Sequence, residues 1–273
     1  MKRVVYNRFR NLIFRFINAL GSFFDFSVTS RVEKENVLKL IELLHPKISN
    51  KPLIRLGPAR DGGYLIPDDL EGISACFSPG VDLESGFEYN LAEHGINVYM
   101  CDYTVEKPKL YHPNFHFIKK HLSSKNNDQF MTIDTWVNEV LPNDKSSDLI
   151  LQMDIEGFEF ECIFSLSQSL LNRFRIIVIE FHEIHRLFDK SYFKFFKAAI
   201  EKLLENHSVV HIHPNNIKTP KKINGIELYH FMEFTFVRND HVKLESFSKE
   251  FPNHLDRDNT FNKGVILSNN WFR

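Results

Sequence analysis

From residue 74 onward, short apolar runs alternate along the chain with stretches whose apolar residues recur at helical spacing. The runs predict strands at 74–78, 97–102, 115–119, 149–154, 176–181, 208–213 and 231–237. The stretches between them predict helices over roughly 84–94, 132–140, 158–171 and 191–206. Several of the runs are almost continuously apolar, as strands covered on both faces are. Strand and helix in alternation predict an α/β protein with a doubly wound sheet. Ahead of this region, Val37, Leu40, Ile41 and Leu44 fall on one helix face within 32–44, and the pattern stops before Pro46. The turn-rich segment 52–69 carries Asp61-Gly62-Gly63-Tyr64 between Leu56 and Leu65-Ile66, which reads as a small hairpin. The expected organisation is a leader at 1–31, a helix and hairpin at 32–72, and a main domain at 73–273.

Charge sets the leader apart. Residues 1–31 hold Lys2, Arg3, Arg8, Arg10, Arg15 and Arg31 against Asp25 alone, whereas the whole chain of 273 residues carries 34 Lys+Arg and 35 Asp+Glu, net -1. Val4, Val5, Phe9, Leu12, Ile13, Phe16, Ile17 and Leu20 lie between these charges with the spacing of an amphipathic helix. The longest uncharged stretch, Phe16 to Phe24, is too short to span a bilayer, and Arg15 interrupts what would be a signal-peptide core. Two readings stay open: a helix docked on its own domain, or an interfacial helix giving residues 1–24 peripheral contact with the inner face of a membrane. The overall charge balance argues against a protein that coats nucleic acid, so no nucleic-acid partner is expected. Apolar residues at 43% and charged residues at 25% describe a globular chain rather than a disordered one. Cys76, Cys101 and Cys162 form no CxxC pair, which fits a reducing, cytoplasmic compartment and speaks against a disulfide framework or a structural zinc site.

In open α/β sheets ligands bind beyond the carboxyl ends of the strands, so the residues ending each run are the ones to read. The first run ends in Ser78-Pro79-Gly80-Val81-Asp82, a glycine turn leading into a helix; it lacks the three-glycine dinucleotide fingerprint, and an ordinary turn explains it equally well. The second ends at Asp102, about twenty residues past that glycine, where an acidic residue of a nucleotide-binding sheet accepts from ribose hydroxyls. The fourth ends in Asp154-Ile155-Glu156-Gly157. Helix capping explains one of these two carboxylates but not both; the pair also suits proton transfer or a divalent cation. The fifth ends in Ile179-Glu180-Phe181-His182-Glu183-Ile184-His185, with Glu180 and His182 alternating onto one face. The sixth ends in His211-Ile212-His213-Pro214-Asn215-Asn216. Carboxylates, imidazoles and amides are thus expected at one rim.

With these residues assembled, the stretch from about Leu53 to Asn216 resembles S-adenosylmethionine-dependent methyltransferases of the FkbM type. The resemblance rests on MDIEGFE at Met153–Glu159, IEFHEIH at Ile179–His185, DGGY followed by SPGVDLESGFE, and HIHPNN at His211–Asn216. It implies a Rossmann-like class I fold, a seven-stranded, mostly parallel sheet with helices on both faces. It also implies that the turn at Gly80 meets the methionine part of the cofactor, that Asp102 holds the ribose, that His121 and Leu122 border the adenine, and that Gly62, Gly63, Ser78, Asp82 and Asp154 join in binding it. TIDTW at Thr132–Trp136 is similar to a family element in which Asp134 has a structural role. Ser78 and Pro79 stand where many members carry aspartate and valine. The reaction implied is O-methylation of a hydroxyl on a sugar, glycan or small molecule. Asp154 and His182 are the expected catalytic pair, with His213 as an alternative base, and Mg or Mn on Asp154, Glu180 and His182 would lower the hydroxyl pKa. Two other classes compete: an NAD(P)-dependent oxidoreductase on the same kind of sheet, disfavoured by the missing fingerprint, and a membrane-recruited scaffold that has lost chemistry, disfavoured by the polar rim.

Overall fold

The computed structural model describes residues 30–272 together with Ile13. The amphipathic leader and its membrane contact lie outside the described residues. Among those described, no helix is long and apolar enough to cross a membrane.

Seven strands form the central sheet: β1 (Ile73–Pro79), β2 (Asn97–Cys101), β3 (Phe115–Ile118), β4 (Asp148–Met153), β5 (Phe174–His182), β6 (His207–Pro214) and β7 (Phe231–Arg238). Their order across the sheet is β6-β7-β5-β4-β1-β2-β3. Only β7 runs against its neighbours, pairing antiparallel with both β5 and β6. The helices are α1 (Lys34–Leu43), α2 (Gly86–Glu93), α3 (Ile133–Val140), α4 (Glu159–Ser165), α5 (Gln168–Leu171) and α6 (Lys190–Leu204). This is the mostly parallel, doubly wound, Rossmann-like architecture expected.

Period-two alternation sorts the strand residues into two cores. Leu149, Leu151 and Met153 of β4 and Ile177, Ile179 and Phe181 of β5 pack with residues from α1, α3, α4, α5 and α6, including Trp136, Phe196 and Ile200. Ile150, Ile176 and Val178 point the other way, onto Phe87, Leu91 and Ala92 of α2 and onto the hairpin Leu53–Leu56/Tyr64–Pro67, through Leu56, Tyr64 and Ile66. On that second face the cover stops short of the strand ends. Ser78, Gln152, Glu180 and His182 continue the same side of their strands past the last apolar layer, so polar residues appear where α2 and the hairpin give out.

One expected helix is two. The segment 158–171 breaks at Leu166, which is extended (φ -63, ψ 124). Ser167 then caps α5 by accepting from the Leu170 N–H, while its own N–H donates to Asp134 Oδ2 at 2.9 Å. Lys202 of α6 donates to the carbonyls of Ile163 (2.7 Å) and Phe164 (3.3 Å), placing a cation at the end of α4. Local capping thus overrides a continuous apolar pattern. The C-terminal tail returns across the molecule: Leu244–Phe247 pairs with Lys47–Ser49, Trp271 is buried, and Asn259 reaches the strand ends.

Candidate active site

The strand ends open into a cavity of about 490 Å³ between the turns after β1, β2 and β4, lined among others by Asp61, Gly62, Gly80, Asp82, Asp102, His121, Leu122, Gln152 and Asp154. Seven carboxylates line it (Asp61, Asp82, Glu84, Glu88, Asp102, Asp154, Glu156) against one lysine, Lys120. Such a lining attracts a cationic ligand and repels a pyrophosphate.

Gly80 is required by geometry. Its φ is +81, and a Cβ there would stand 1.7 Å from the carbonyl oxygen of Asp154. The β1 and β4 turns therefore touch backbone to backbone, and a ligand in the cavity meets bare main chain. Asp102 is buried and already engaged: Oδ2 accepts from the Asp82 N–H (2.9 Å), and Oδ1 from the Thr104 N–H (2.7 Å) and hydroxyl (2.6 Å). A carboxylate has about four lone-pair sites, so Asp102 retains room for one further donor rather than for both ribose hydroxyls. His121 stacks between Tyr103 (4.9 Å) and Phe130 (5.4 Å), giving a flat aromatic wall beside Leu122.

Two expected cofactor residues do not line the cavity. Gly63 is a packing glycine, since a Cβ there would lie 2.1 Å from the Pro58 carbonyl oxygen and 2.6 Å from the Arg55 guanidinium. Ser78 is fully buried beneath the cavity floor, its Oγ 2.5 Å from Glu88 Oε1 and 2.7 Å from Gln152 Oε1. One hydroxyl has one proton to give. Burial pushes Glu88 up to about 7, so its acid form supplies the second proton, and Gln152 passes the chain on to the Tyr64 hydroxyl at 3.2 Å. Glu88, Gln152 and Tyr64 were invisible as site residues in the sequence. Glu88 and Gln152 sit inside otherwise ordinary helix and strand patterns, and only the missing apolar residue at each marks them.

Asp154 and His182 do meet. His182 Nε2 lies 3.8 Å from Asp154 Oδ1 and 3.3 Å from Glu156 Oε2, while Nδ1 lies 3.0 Å from Oε1 of the buried Glu159. Glu159 also accepts from the Gly157 N–H at 3.0 Å, and the Tyr192 hydroxyl donates to the His182 carbonyl, which fixes both ends of the imidazole's support. Burial by itself would lower the His182 pKa. The hydrogen bond and charge of Glu159, with Asp154 and Glu156, outweigh burial and hold it at about 9. Asp154 is pushed up to about 7 by burial, against the pull of His182. At neutral pH His182 is thus an imidazolium, a donor rather than a base, and Asp154 is the group poised to take a proton.

Glu180 stands apart from this pair. In register it faces Glu233 of β7, which faces His213 of β6. The sheet order separates β5 from β6 by a strand, so His213 sits beyond Glu233 instead of beside His182. It does not line the cavity; its Nδ1 is 3.7 Å from Asp256, and burial, with Arg55, lowers its pKa to about 4. Asp61, Glu180 and Glu233 form one cluster of potential ligands, and Asp154, Glu156 and His182 another. The expected Asp154–Glu180–His182 metal set is therefore split between the two. Asn215 donates to Glu180 (3.3 Å), and Asn259 to Glu233 (2.7 Å) and Asp61 (2.9 Å). Burial pushes Glu180 well above the usual carboxylate range and Glu233 up to about 8. Asp61, Glu233 and Asn259 lie far apart in sequence with no shared motif, which is why the pattern did not reveal them.

Comparison with known proteins bears on this geometry. The family model of the methyltransferase FkbM domain matches residues 93–208. Curated proteins contain no match to the chain. Among solved structures, a fibrillarin/Nop5p complex is similar at 13% identity over 62% of this chain and 74% of that one, TM-score 0.37. A magnesium protoporphyrin IX methyltransferase from Synechocystis PCC 6803 with bound SAM is similar at 14% identity over 63% and 72%, TM-score 0.33. A putative ribosomal RNA methyltransferase from Plasmodium falciparum is similar at 15% identity over 64% and 90%, TM-score 0.34. Likenesses this slight carry nothing about substrate.

Proposed function

We propose, from the match of residues 93–208 to the methyltransferase FkbM domain, that this protein binds S-adenosylmethionine in the acidic cavity and methylates a hydroxyl on a sugar, glycan or other small molecule. The observation that carries the reading is the lining itself, seven carboxylates and one lysine around a glycine turn whose backbone is bare. It suits a ligand bearing a sulfonium and an ammonium, and it opposes the competing dinucleotide. Gly80, Asp82 and Asp154 would hold the methionine side, Asp102 one ribose hydroxyl, and His121 with Leu122 and Phe130 the adenine. When bound, the donor supplies an activated methyl group, so the protein has only to orient the acceptor and relieve it of its proton.

Asp154 is the base in this mechanism. A positive charge arriving in the cavity stabilises its carboxylate and lowers its pKa from about 7. The His182 imidazolium faces Asp154 and offsets part of its charge, and Glu159 keeps that imidazolium in place. Of the Glu180–Glu233–Asp61 row only Asp61 lines the cavity, so it is the member placed to meet an acceptor hydroxyl, with Asn259 holding it from behind. The expected Mg or Mn site does not fit: both nitrogens of His182 already face carboxylates, and Glu180 faces Glu233. No metal step is derived.

The test is methyl transfer from labelled S-adenosylmethionine to a panel of hydroxylated acceptors, with S-adenosylhomocysteine affinity measured by calorimetry. Asp154→Asn should lower transfer at least about hundredfold, the usual contribution of a general base. Added Mg²⁺ or Mn²⁺ should leave the rate unchanged. Affinity for NADH in place of S-adenosylhomocysteine would reinstate the oxidoreductase, and affinity for neither would leave the scaffold.

A further inference from the structure

The antiparallel pairing of β5 with β7 ends where His182 faces Phe231. The residue after one, Glu183, and the residue before the other, His230, therefore leave the sheet side by side. Glu183 sits at φ +62, a left-handed conformation that residues with side chains adopt rarely and that marks local strain. A single 3₁₀ turn, Ile184–Arg186, then brings His185 back over His230, pinned by the Ile184 N–H donating to the His230 carbonyl at 3.2 Å. The two imidazoles stand 4.0 Å apart between centroids, and His185 Nε2 is 3.8 Å from Glu183 Oε2. One ligand atom from each of Glu183, His185 and His230 falls within 4.8 Å of the others. Nδ1 of His185 and Nδ1 of His230 are both buried without a hydrogen-bond partner. A buried polar atom left unpaired costs about 1–3 kcal/mol, and here two occur on rings whose centroids are 4.0 Å apart.

We propose that Glu183, His185 and His230 form a binding site for a divalent transition metal of the zinc class. Two imidazoles and one carboxylate suit borderline cations such as Zn²⁺ or Co²⁺, whereas Mg²⁺ and Ca²⁺ take all-oxygen shells. Three protein ligands leave a fourth tetrahedral position for water. Ligand atoms on a tetrahedral zinc stand roughly 3.4 Å apart, close to the 3.8 Å between His185 Nε2 and Glu183 Oε2. Lys218, Lys221 and Arg186 lie near the two rings and moderate the affinity for a dication. The site is distinct from the Asp154–His182 pair, since the Phe231 ring stands between, 5.1 Å from the His182 ring and 6.1 Å from that of His230. A bound ion would lock the turn that follows His182, and the proposal does not depend on methyl transfer.

Co²⁺ titration of the full-length, tag-free chain after chelation tests it directly. One equivalent should bind with the visible d–d absorption of a low-coordinate nitrogen/oxygen site, and Zn²⁺ should displace it. His185→Gln and His230→Gln should each abolish the band, and His182→Asn should retain it. Should either glutamine variant fail to fold by circular dichroism, Glu183→Gln on a half-exposed side chain gives the same readout as a loss of about tenfold or more in Co²⁺ affinity. Absence of Co²⁺ and Zn²⁺ binding by the wild-type chain would overturn the proposal. So would a band that survives the His185→Gln/His230→Gln double variant, or one lost with His182→Asn alone, which would put the ion on Asp154 and Glu156.

Discussion

Replacing Glu159 with glutamine isolates what holds the proton on His182. Glu159 is 1% exposed, and its Oε1 is 3.0 Å from His182 Nδ1. A rise of the imidazole pKa from 6.5 to about 9 corresponds to roughly 3 kcal/mol in favour of the charged ring. Burial opposes that preference and Glu159 is its largest source, so neutralising Glu159 should bring the His182 pKa down by more than a unit, to near or below the ordinary value. The sign for stability follows from the same shift. A pKa raised in the folded state gives stabilisation that is complete below the unfolded value near 6.5 and is lost as pH climbs through about 9. Wild-type protein should therefore lose this contribution across that window, and Glu159→Gln should lack the slope. The assay is NMR titration of the His182 ring, read beside urea unfolding at pH 6, 7.5 and 9. A wild-type His182 titrating near 6.5, or a Glu159→Gln variant titrating where the wild type does, would refute the assignment of Glu159 as the holder of the proton.

Four further outcomes are expected. Gly80→Ala should reduce S-adenosylhomocysteine affinity more than about hundredfold, roughly 2.7 kcal/mol, because the added Cβ falls 1.7 Å from the Asp154 carbonyl oxygen; calorimetry with unchanged affinity would contradict the backbone contact. Asp102→Asn should destabilise the ligand-free protein by about 1–3 kcal/mol in urea unfolding, since Asp102 staples Asp82 and Thr104 before any ligand arrives. Glu233, whose folded pKa is raised to about 8 by burial, should cost stability progressively as pH rises from about 4.5 to 8, so Glu233→Gln should flatten that part of the profile, and an unaltered profile would count against a buried, protonated Glu233. If residues 1–24 bind lipid rather than dock on their own domain, deleting them should abolish association with anionic vesicles in a flotation assay while leaving S-adenosylhomocysteine affinity intact, and unchanged association would refute the lipid role.

How far the chain could be read in advance depended on distance along it. β4 and β5 were legible because Leu149–Met153 and Ile176–Phe181 are apolar runs bounded by polar turns, and their polar ends, Asp154 and His182, were legible for the same reason. That Asp154 and His182 meet could be expected because they terminate neighbouring strands. His213 was misplaced because the sequence shows that β6 ends in histidine but not that the later, antiparallel β7 inserts between β5 and β6. The same insertion brings Glu233 opposite Glu180 and His230 beside Glu183, and neither pairing has any local signature. Ser78 was overread for a different reason. It ends a strand like the others, yet Glu88 from the following helix caps it from above and turns it into floor.

The buried carboxylates show why the site is not explained by stability. Glu88, Asp154, Glu180 and Glu233 all have pKa values raised by burial, so each is harder to ionise in the folded chain than in the unfolded one and destabilises the fold as pH rises past its ordinary range. Their compensations are local: Ser78 for Glu88, His182 for Asp154, Asn215 for Glu180, Asn259 for Glu233. Asp154 and Glu233 each feel a formal positive charge, from His182 and from Arg55, and of the two only Asp154 stands on the cavity wall. A cation entering the cavity therefore acts on Asp154 first, converting a carboxyl that is half protonated at neutral pH into a carboxylate, while it weakens the hold of His182 on its own proton. Donor binding and activation of the base become one electrostatic event. Glu180 and Glu233, harder to ionise through burial and bonded by Asn215 and Asn259, take no part in that event. On this account the Asp154 pKa should fall on binding S-adenosylmethionine but stay near 7 with 5′-methylthioadenosine, which lacks both the sulfonium and the ammonium; carboxyl-region NMR showing equal shifts with both ligands would break the link between charge and base.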